Sequence, residues 1–142
     1  MYLKEEQYEE SREDFASAIE MNKHKGFAYL GKGTCEINLK MIDEAIGTFT
    51  EGIETDLAHV CYEKRGICYY EQGAFSQAFK DLEQSSMYDN YFSSAVHYYK
   101  GMIYYKEKNA TESLLCFEEC LKCDNNKELV TLGIEMMLKI KI

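Results

Sequence analysis

The feature that most constrains the fold is a repeat with a period close to 34 residues. Gly33, Gly66 and Gly101 lie 33 and 35 residues apart, each within an apolar and aromatic stretch. Counted from each glycine, a small residue follows after 12 positions, a large apolar residue after 16, a small residue after 19 and an aspartate after 23. The residues at these places are Ala45, Ala78 and Ser113; Phe49, Leu82 and Phe117; Gly52, Ser85 and Cys120; and Asp56, Asp89 and Asp124. Three copies in phase indicate one structural unit used three times.

The glycines need a physical reason, because a glycine inside a helix is about 1 kcal/mol less favourable than alanine. The chain contains no proline, which favours helices joined by tight polar turns. Close approach of two helices supplies the reason: we expect Gly33 to face Ala45, Gly66 to face Ala78 and Gly101 to face Ser113. One such hairpin cannot bury both of its faces, so neighbouring hairpins should stack.

This pattern resembles the tetratricopeptide repeat, a 34-residue helix–turn–helix unit. An earlier, partial unit is visible too: Tyr8, Phe15, Ala18 and Asn22 lie 34 residues before Ile42, Phe49, Gly52 and Asp56. Tyr29, Tyr62 and His97 stand where the family often has Trp, and the proline that closes the family's unit is absent. The resemblance implies an all-α fold, a right-handed superhelical solenoid of antiparallel helix–turn–helix hairpins.

We therefore expect a single domain over residues 1–142, with a partial unit at 1–25, units at 26–57, 58–92 and 93–125, and a capping helix at 127–140. The expected helices are 3–21, 26–40, 43–55, 58–72, 75–87, 92–107, 110–123 and 127–140. Since the first unit has almost none of its first helix, we expect either part of a longer array or a start chosen by design.

Charge and hydropathy narrow the classes of partner. A formal net charge of −9 disfavours binding to a phosphate backbone, so no nucleic acid is expected. No apolar run approaches the ~20 residues that span a bilayer, so no membrane partner is expected. The first residues form neither a basic nor an apolar leader segment, which favours a cytoplasmic location.

In the family that the repeat resembles, the first helix of each hairpin lines a concave groove that holds a protein or peptide partner. The resemblance thus implies a protein-binding scaffold or adaptor. No enzymatic activity is expected, because none of the three histidines pairs with a serine, cysteine or aspartate in a recognisable nucleophile arrangement. The residues of the first helix that face the groove recur at intervals of three and four positions. The candidate partner-binding residues are Phe27, Leu30, Thr34, Glu63, Lys64, Ile67, Tyr70, Tyr98, Tyr99, Met102, Tyr105 and Lys106.

One class of the family grips the C-terminal carboxylate of heat-shock chaperones with several lysine, arginine and asparagine side chains. At the corresponding places this chain has Leu30, Thr34, Val60, Lys64, Ala95 and Tyr99, of which only Lys64 is cationic. Two desolvated carboxylates need several donors, so chaperone C-terminal tails are not expected as partners.

Three other functions have some support in the residues. The segment Gly26–Lys32 fits the spacing of a phosphate loop, but the serine or threonine that should follow is Gly33. Cys116, Cys120 and Cys123 share a helix face, yet zinc needs a fourth ligand, and buried thiols explain them better, so neither metal nor cofactor is expected. The third is self-association, possible as a homodimer through terminal helices, because the last helix carries an apolar stripe of Leu129, Leu132, Met136, Met137 and Ile140.

Overall fold

The computed structural model describes residues 2–88, 91, 93–123 and 125–141. This part of the chain forms eight α-helices and no β-strand, as the sequence predicted. Asp89, Asp124 and the predicted start of the sixth helix at residue 92 lie outside the described residues. The helices are α1 Tyr2–Glu20, α2 Lys25–Asn38, α3 Ile42–Gly52, α4 Ala58–Glu71, α5 Phe75–Ser86, α6 Ser94–Lys106, α7 Ala110–Cys123 and α8 Lys127–Lys141.

The repeated glycines lie where the two helices of a hairpin touch. A Cβ atom added to Gly33 would come within 2.4 Å of the Phe49 ring, and one added to Gly101 within 2.8 Å of the Phe117 ring. Both phenylalanines are fully buried. The large apolar residue of each unit therefore packs directly on the glycine of its own hairpin, and the missing side chain makes room for it.

The other repeated small residues make further close contacts. A Cβ atom on Gly66 would lie 3.2 Å from the carbonyl oxygen of Ala78, and the Ser113 hydroxyl donates a hydrogen bond of 2.8 Å to the carbonyl of Gly101. Gly52 faces the next hairpin, because a Cβ atom there would lie 2.6 Å from the sulfur of Cys61 in α4. One small residue thus tightens each hairpin and another lets the hairpins stack.

All three hairpins turn in the same way after their first helix. Lys40, Gly73 and Lys108 each have a positive φ, of 64°, 79° and 63°. The N–H of each donates to the carbonyl three residues before it, and the next N–H donates to a carbonyl five residues back, as from Met41 to Glu36. This is the Schellman ending of a helix, which satisfies carbonyl groups that the last turn leaves free.

Two clusters of buried residues contribute to the core of the part of the chain that the structure describes. One centres on Ala45, Phe49, Cys61 and Cys68, between the α2–α3 hairpin and α4. The other contains Ala78, Leu82, Val96 and Ile103 and joins the α4–α5 hairpin to α6. No helix among the described residues is long and apolar enough to cross a membrane.

Candidate functional site

The contacts between helices identify the concave side of the array. Each even-numbered helix contacts the next even-numbered one: α2 contacts α4, α4 contacts α6 and α6 contacts α8. Across the described ranges, no two odd-numbered helices are in contact. An array in which one layer of helices is closer together than the other curves toward the closer layer. The even-numbered helices, which include the first helix of every hairpin, therefore form the concave wall.

An open apolar concavity of about 560 Å³ lies between α1, α2 and α4. Apolar groups dominate its lining, and Lys64 is the charged side chain among its lining residues. Phe27 is 68% exposed there, which is unusual for so large an apolar side chain. The lining residues, here called the apolar concavity, are Tyr8, Ser11, Phe15, Phe27, Leu30, Gly31, Thr34, Cys35, Val60 and Lys64.

The sequence builds this surface through two local features of α2. A Cβ atom on Gly31 would lie 2.3 Å from the Phe15 ring, so the glycine lets the ring of α1 lie directly on α2. The Thr34 hydroxyl donates to the carbonyl of Leu30 at 2.7 Å, within the same helix. Because that hydroxyl is already satisfied, Thr34 adds little polarity to the wall.

A buried carboxylate fixes α1 beside α2, and so fixes the edge of the concavity. Glu36 is fully buried, and its Oε1 accepts a hydrogen bond of 2.5 Å from the Thr48 hydroxyl. Its Oε2 lies 2.9 Å from Nε of Arg12 on α1 and 3.6 Å from Nζ of Lys32. A buried charge needs such partners, and these three come from α1, α2 and α3. Helices α1 and α2, two of the three that line the concavity, are therefore held together by these bonds.

Lys64 supplies positive charge to the apolar concavity. Its Nζ lies 3.9 Å from a Glu63 oxygen, a long ion pair, and its side chain is 40% exposed. The Glu63 carboxylate accepts its shorter hydrogen bonds elsewhere, from the Tyr91 hydroxyl at 2.9 Å and from the Ser93 hydroxyl. Lys64 thus keeps donor capacity for a ligand.

Glu63 differs from the prediction that it faces a partner. It is 5% exposed, and its carboxylate is bonded to residues that precede or begin α6. Glu63 links neighbouring hairpins, because its carboxylate accepts hydrogen bonds from the Tyr91 and Ser93 hydroxyls at the start of the next hairpin. This link also places a charged oxygen beside Tyr91, and burial together with that charge raises the pKa of Tyr91.

The predicted tyrosines of the central wall pack mainly on one another. The ring centroids of Tyr70 and Tyr99 are 5.1 Å apart in an edge-on contact that joins α4 to α6, and those of Tyr98 and Tyr99 are 5.2 Å apart. Tyr98 also lies 5.9 Å from the ring of the fully buried Phe117. Burial raises the pKa of Tyr99 to about 12. The contact of Tyr70 with Tyr99 joins two hairpins, whereas Tyr98 packs within its own hairpin on the buried Phe117, so truncating Tyr98 would disturb the core as well as the surface.

The remaining predicted residues lie further along the even-numbered layer. Ile67 and Met102 are partly buried on α4 and α6. Tyr105 and Lys106 line a separate open cavity of about 480 Å³ with Lys108, Ala110, Lys139 and Ile140. The structure thus gathers Phe27, Leu30, Thr34 and Lys64 into one surface and places the other predicted residues outside it.

Sequence reasoning did not include the α1 side of the apolar concavity, namely Tyr8, Ser11 and Phe15. It assigned the wall to the first helix of each hairpin, whereas α1 corresponds to a second helix. One signal was present: Gly31 is a second glycine two residues before the repeated Gly33, and no other unit has one there. A glycine outside the repeat phase marks an additional close approach, here that of Phe15.

The other candidate sites appear as follows in the structure. The segment from Gly26 to Lys32 lies inside helix α2, so it forms no phosphate loop. Cys61, Cys68 and Cys120 are buried, and burial raises the pKa of each thiol to about 11, which keeps it protonated at neutral pH. Within the residues that the structure covers, no three His, Cys, Asp or Glu side chains are placed to hold a metal ion.

Comparison with known proteins bears on the fold. The family model of the tetratricopeptide repeat matches residues 94–127, which contain α6 and α7. No curated protein matches the sequence. The structure is similar to that of YrrB, described as a TPR protein with an unusual peptide-binding site, with a TM-score of 0.71 and 17% sequence identity. That similarity covers 94% of this chain and 69% of YrrB, and at this level of identity it concerns the fold.

Proposed function

This chain carries a tetratricopeptide repeat and has the fold of such a repeat protein, and on that premise we propose that it is a protein-binding scaffold. Its apolar concavity holds a peptide or a helix of a partner protein. The resemblance to YrrB supports this proposal, because that protein has a peptide-binding site. The non-enzymatic role and the cytoplasmic location stay predictions from the sequence.

The observation that carries the proposal is the exposure of Phe27 within a wall of apolar residues. Phe27 is 68% exposed and lines the concavity together with Leu30 and Phe15. Covering apolar surface stabilises a complex by roughly 25 cal/mol per Å². An amphipathic helix or an extended peptide with apolar side chains at regular spacing covers such a wall well.

The charge of the concavity restricts the partner. Lys64 is its cation, and a carboxylate of the partner placed beside apolar residues would pair with it. One lysine does not compensate two desolvated carboxylates, so the apolar concavity fits a largely apolar segment better than a chaperone C-terminal tail.

The proposal is tested by capture of partners from a cell lysate with the tagged chain and two variants, Phe27→Lys and Thr34→Arg. Both side chains are exposed, so both variants should melt as the wild type does. A charge facing the partner's apolar side chains should lower capture at least tenfold, about 1.4 kcal/mol in binding free energy.

The matched control is Leu115→Lys on α7, because Leu115 is 50% exposed and lies outside the lining of the concavity. This variant should capture the same proteins as the wild type. Equal capture by the wild type and all three variants would contradict the proposed site.

A further inference from the structure

Helix α8 presents an exposed stripe with a defined pattern. Gly133 faces inward, where a Cβ atom would lie 3.7 Å from both Cys120 and Phe117 of α7. An exposed face of the same helix carries Ile134, 42% exposed, and Leu138, 60% exposed. By their helical spacing, the residues on this face are Lys127, Thr131, Ile134, Leu138 and Lys141, all of them exposed. The stripe is thus an apolar centre with a lysine at each end; Glu128 and Glu135 lie to one side of it.

The opposite end of the array has the complementary character. Its apolar concavity is rich in aromatic groups, with Phe27 the most exposed of them. The α1 helix beside it carries seven exposed carboxylates, against the exposed Lys4 and against Arg12, which pairs with the buried Glu36. Four of them line a neighbouring cleft with residues 38–41 and do not line the concavity itself. The seven carboxylates are Glu5, Glu6, Glu9, Glu10, Glu13, Asp14 and Glu20.

We propose that the apolar concavity of one copy of this chain receives the α8 stripe of a second copy. This inference rests on the proposed function, since it names the occupant of the same concavity. Ile134 and Leu138 of one copy cover Phe27 and Leu30 of the next, and the lysines of α8 lie near the carboxylates of α1. The apolar groups are complementary, and the lysines of α8 are opposite in charge to the carboxylates of α1, which favours one orientation of the two copies.

The charges also disfavour the symmetric alternatives. Two α8 stripes placed face to face would bring lysines together, and two α1 helices would bring carboxylates together. A contact between unlike ends is heterologous. A pair of copies therefore leaves one end of each copy unused, and further copies add there to form rings or open chains. A simple homodimer through two identical terminal helices is therefore disfavoured.

A mixing experiment with two purified variants tests this directly by light scattering. Phe27→Lys removes the receiving surface and Leu138→Lys removes the inserted one; both residues are exposed, so folding should be retained. The wild-type mass should exceed 16.5 kDa and rise with concentration, while each variant alone should stay at 16.5 kDa. An equal mixture of the two variants should show a twofold increase in mass and no more, because one intact pair of surfaces remains.

Thr34→Arg and Ile134→Lys provide a second pair at other positions of the same surfaces, and Leu115→Lys should associate as the wild type does. A wild type that stays at 16.5 kDa, a variant that associates alone, or a mixture that stays monomeric would each overturn the proposal. If the purified chain is monomeric while Phe27→Lys still loses lysate partners, the protein-binding function stands and only self-association fails.

Discussion

At the residue scale, two glycines that both lie inside helices have different surroundings and different effects on stability. Gly33 lies in α2 against the Phe49 ring, whereas Gly47 lies in α3 with nothing within 4 Å of an added Cβ atom. Both lie inside a helix, and each glycine reduces the intrinsic stability of its own helix by about 1 kcal/mol relative to alanine. Only Gly33 has a packing contact that compensates for this.

Alanine substitution should therefore have opposite effects at the two positions. Gly47→Ala should raise the free energy of unfolding by about 0.5–1 kcal/mol, because it gains helix propensity without a clash. Gly33→Ala should lower it by about 1–2 kcal/mol, because the buried Phe49 ring cannot move away from a Cβ atom. Urea unfolding of both variants gives the measurement, and a stabilising Gly33→Ala would contradict the packing role of this glycine.

Sequence reasoning succeeded for residues whose role repeats. Gly33, Gly66 and Gly101 recur in phase, so a close approach of helices at each could be expected from the spacing, although the side chain nearest to Gly33 is Phe49 and not the expected Ala45. The sequence prediction was less successful at Glu63, because helical phase gives the direction in which a side chain points and not the residues that surround it. The hydroxyl groups of Tyr91 and Ser93 make Glu63 a buried residue, and they come from a segment about 30 positions away.

At the scale of elements, the number and order of the eight helices were predicted and are confirmed, as is the resemblance to tetratricopeptide repeats. Hydrophobic spacing and the glycine phase determine where a helix must lie. The ends of helices depend on local capping, which spacing does not report: α2 was expected to reach residue 40 and ends at Asn38, because Lys40 adopts a positive φ of 64°. Helix α1, which corresponds to the second helix of a unit, was predicted as a helix. Its contribution to the lining of the apolar concavity was not predicted.

The cost of the positive φ at the helix ends can be tested by exchanging the residues that adopt it between two units. Lys40 and Gly73 occupy the same place in two hairpins, and both have positive φ, which costs a residue with a side chain about 1–2 kcal/mol. Lys40→Gly should raise the free energy of unfolding by about 1 kcal/mol, and Gly73→Lys should lower it by a similar amount. Urea unfolding would contradict this explanation if the two substitutions changed stability in the same direction.

At the scale of the whole molecule, the curvature of the array follows from contacts between the even-numbered helices. The even-numbered helices touch one another and the odd-numbered ones in the described residues do not, so the wall that carries Leu30 and Lys64 is concave. The repeat predicted that such a wall exists. It could not predict which part of the wall stays open, because tyrosine contacts such as Tyr70 with Tyr99 fill the centre. The end beside α1 remains open.

The central claim is that the apolar concavity contacts another protein, and site-specific photocrosslinking in cells tests it most directly. A photoreactive phenylalanine analogue replaces Phe27 in one variant and Leu115 in another, two exposed positions on different surfaces. We expect a crosslinked protein adduct from position 27 and none from position 115; an adduct with a second copy of the chain would also support self-association. Adducts from position 115 with none from position 27 would contradict the claim.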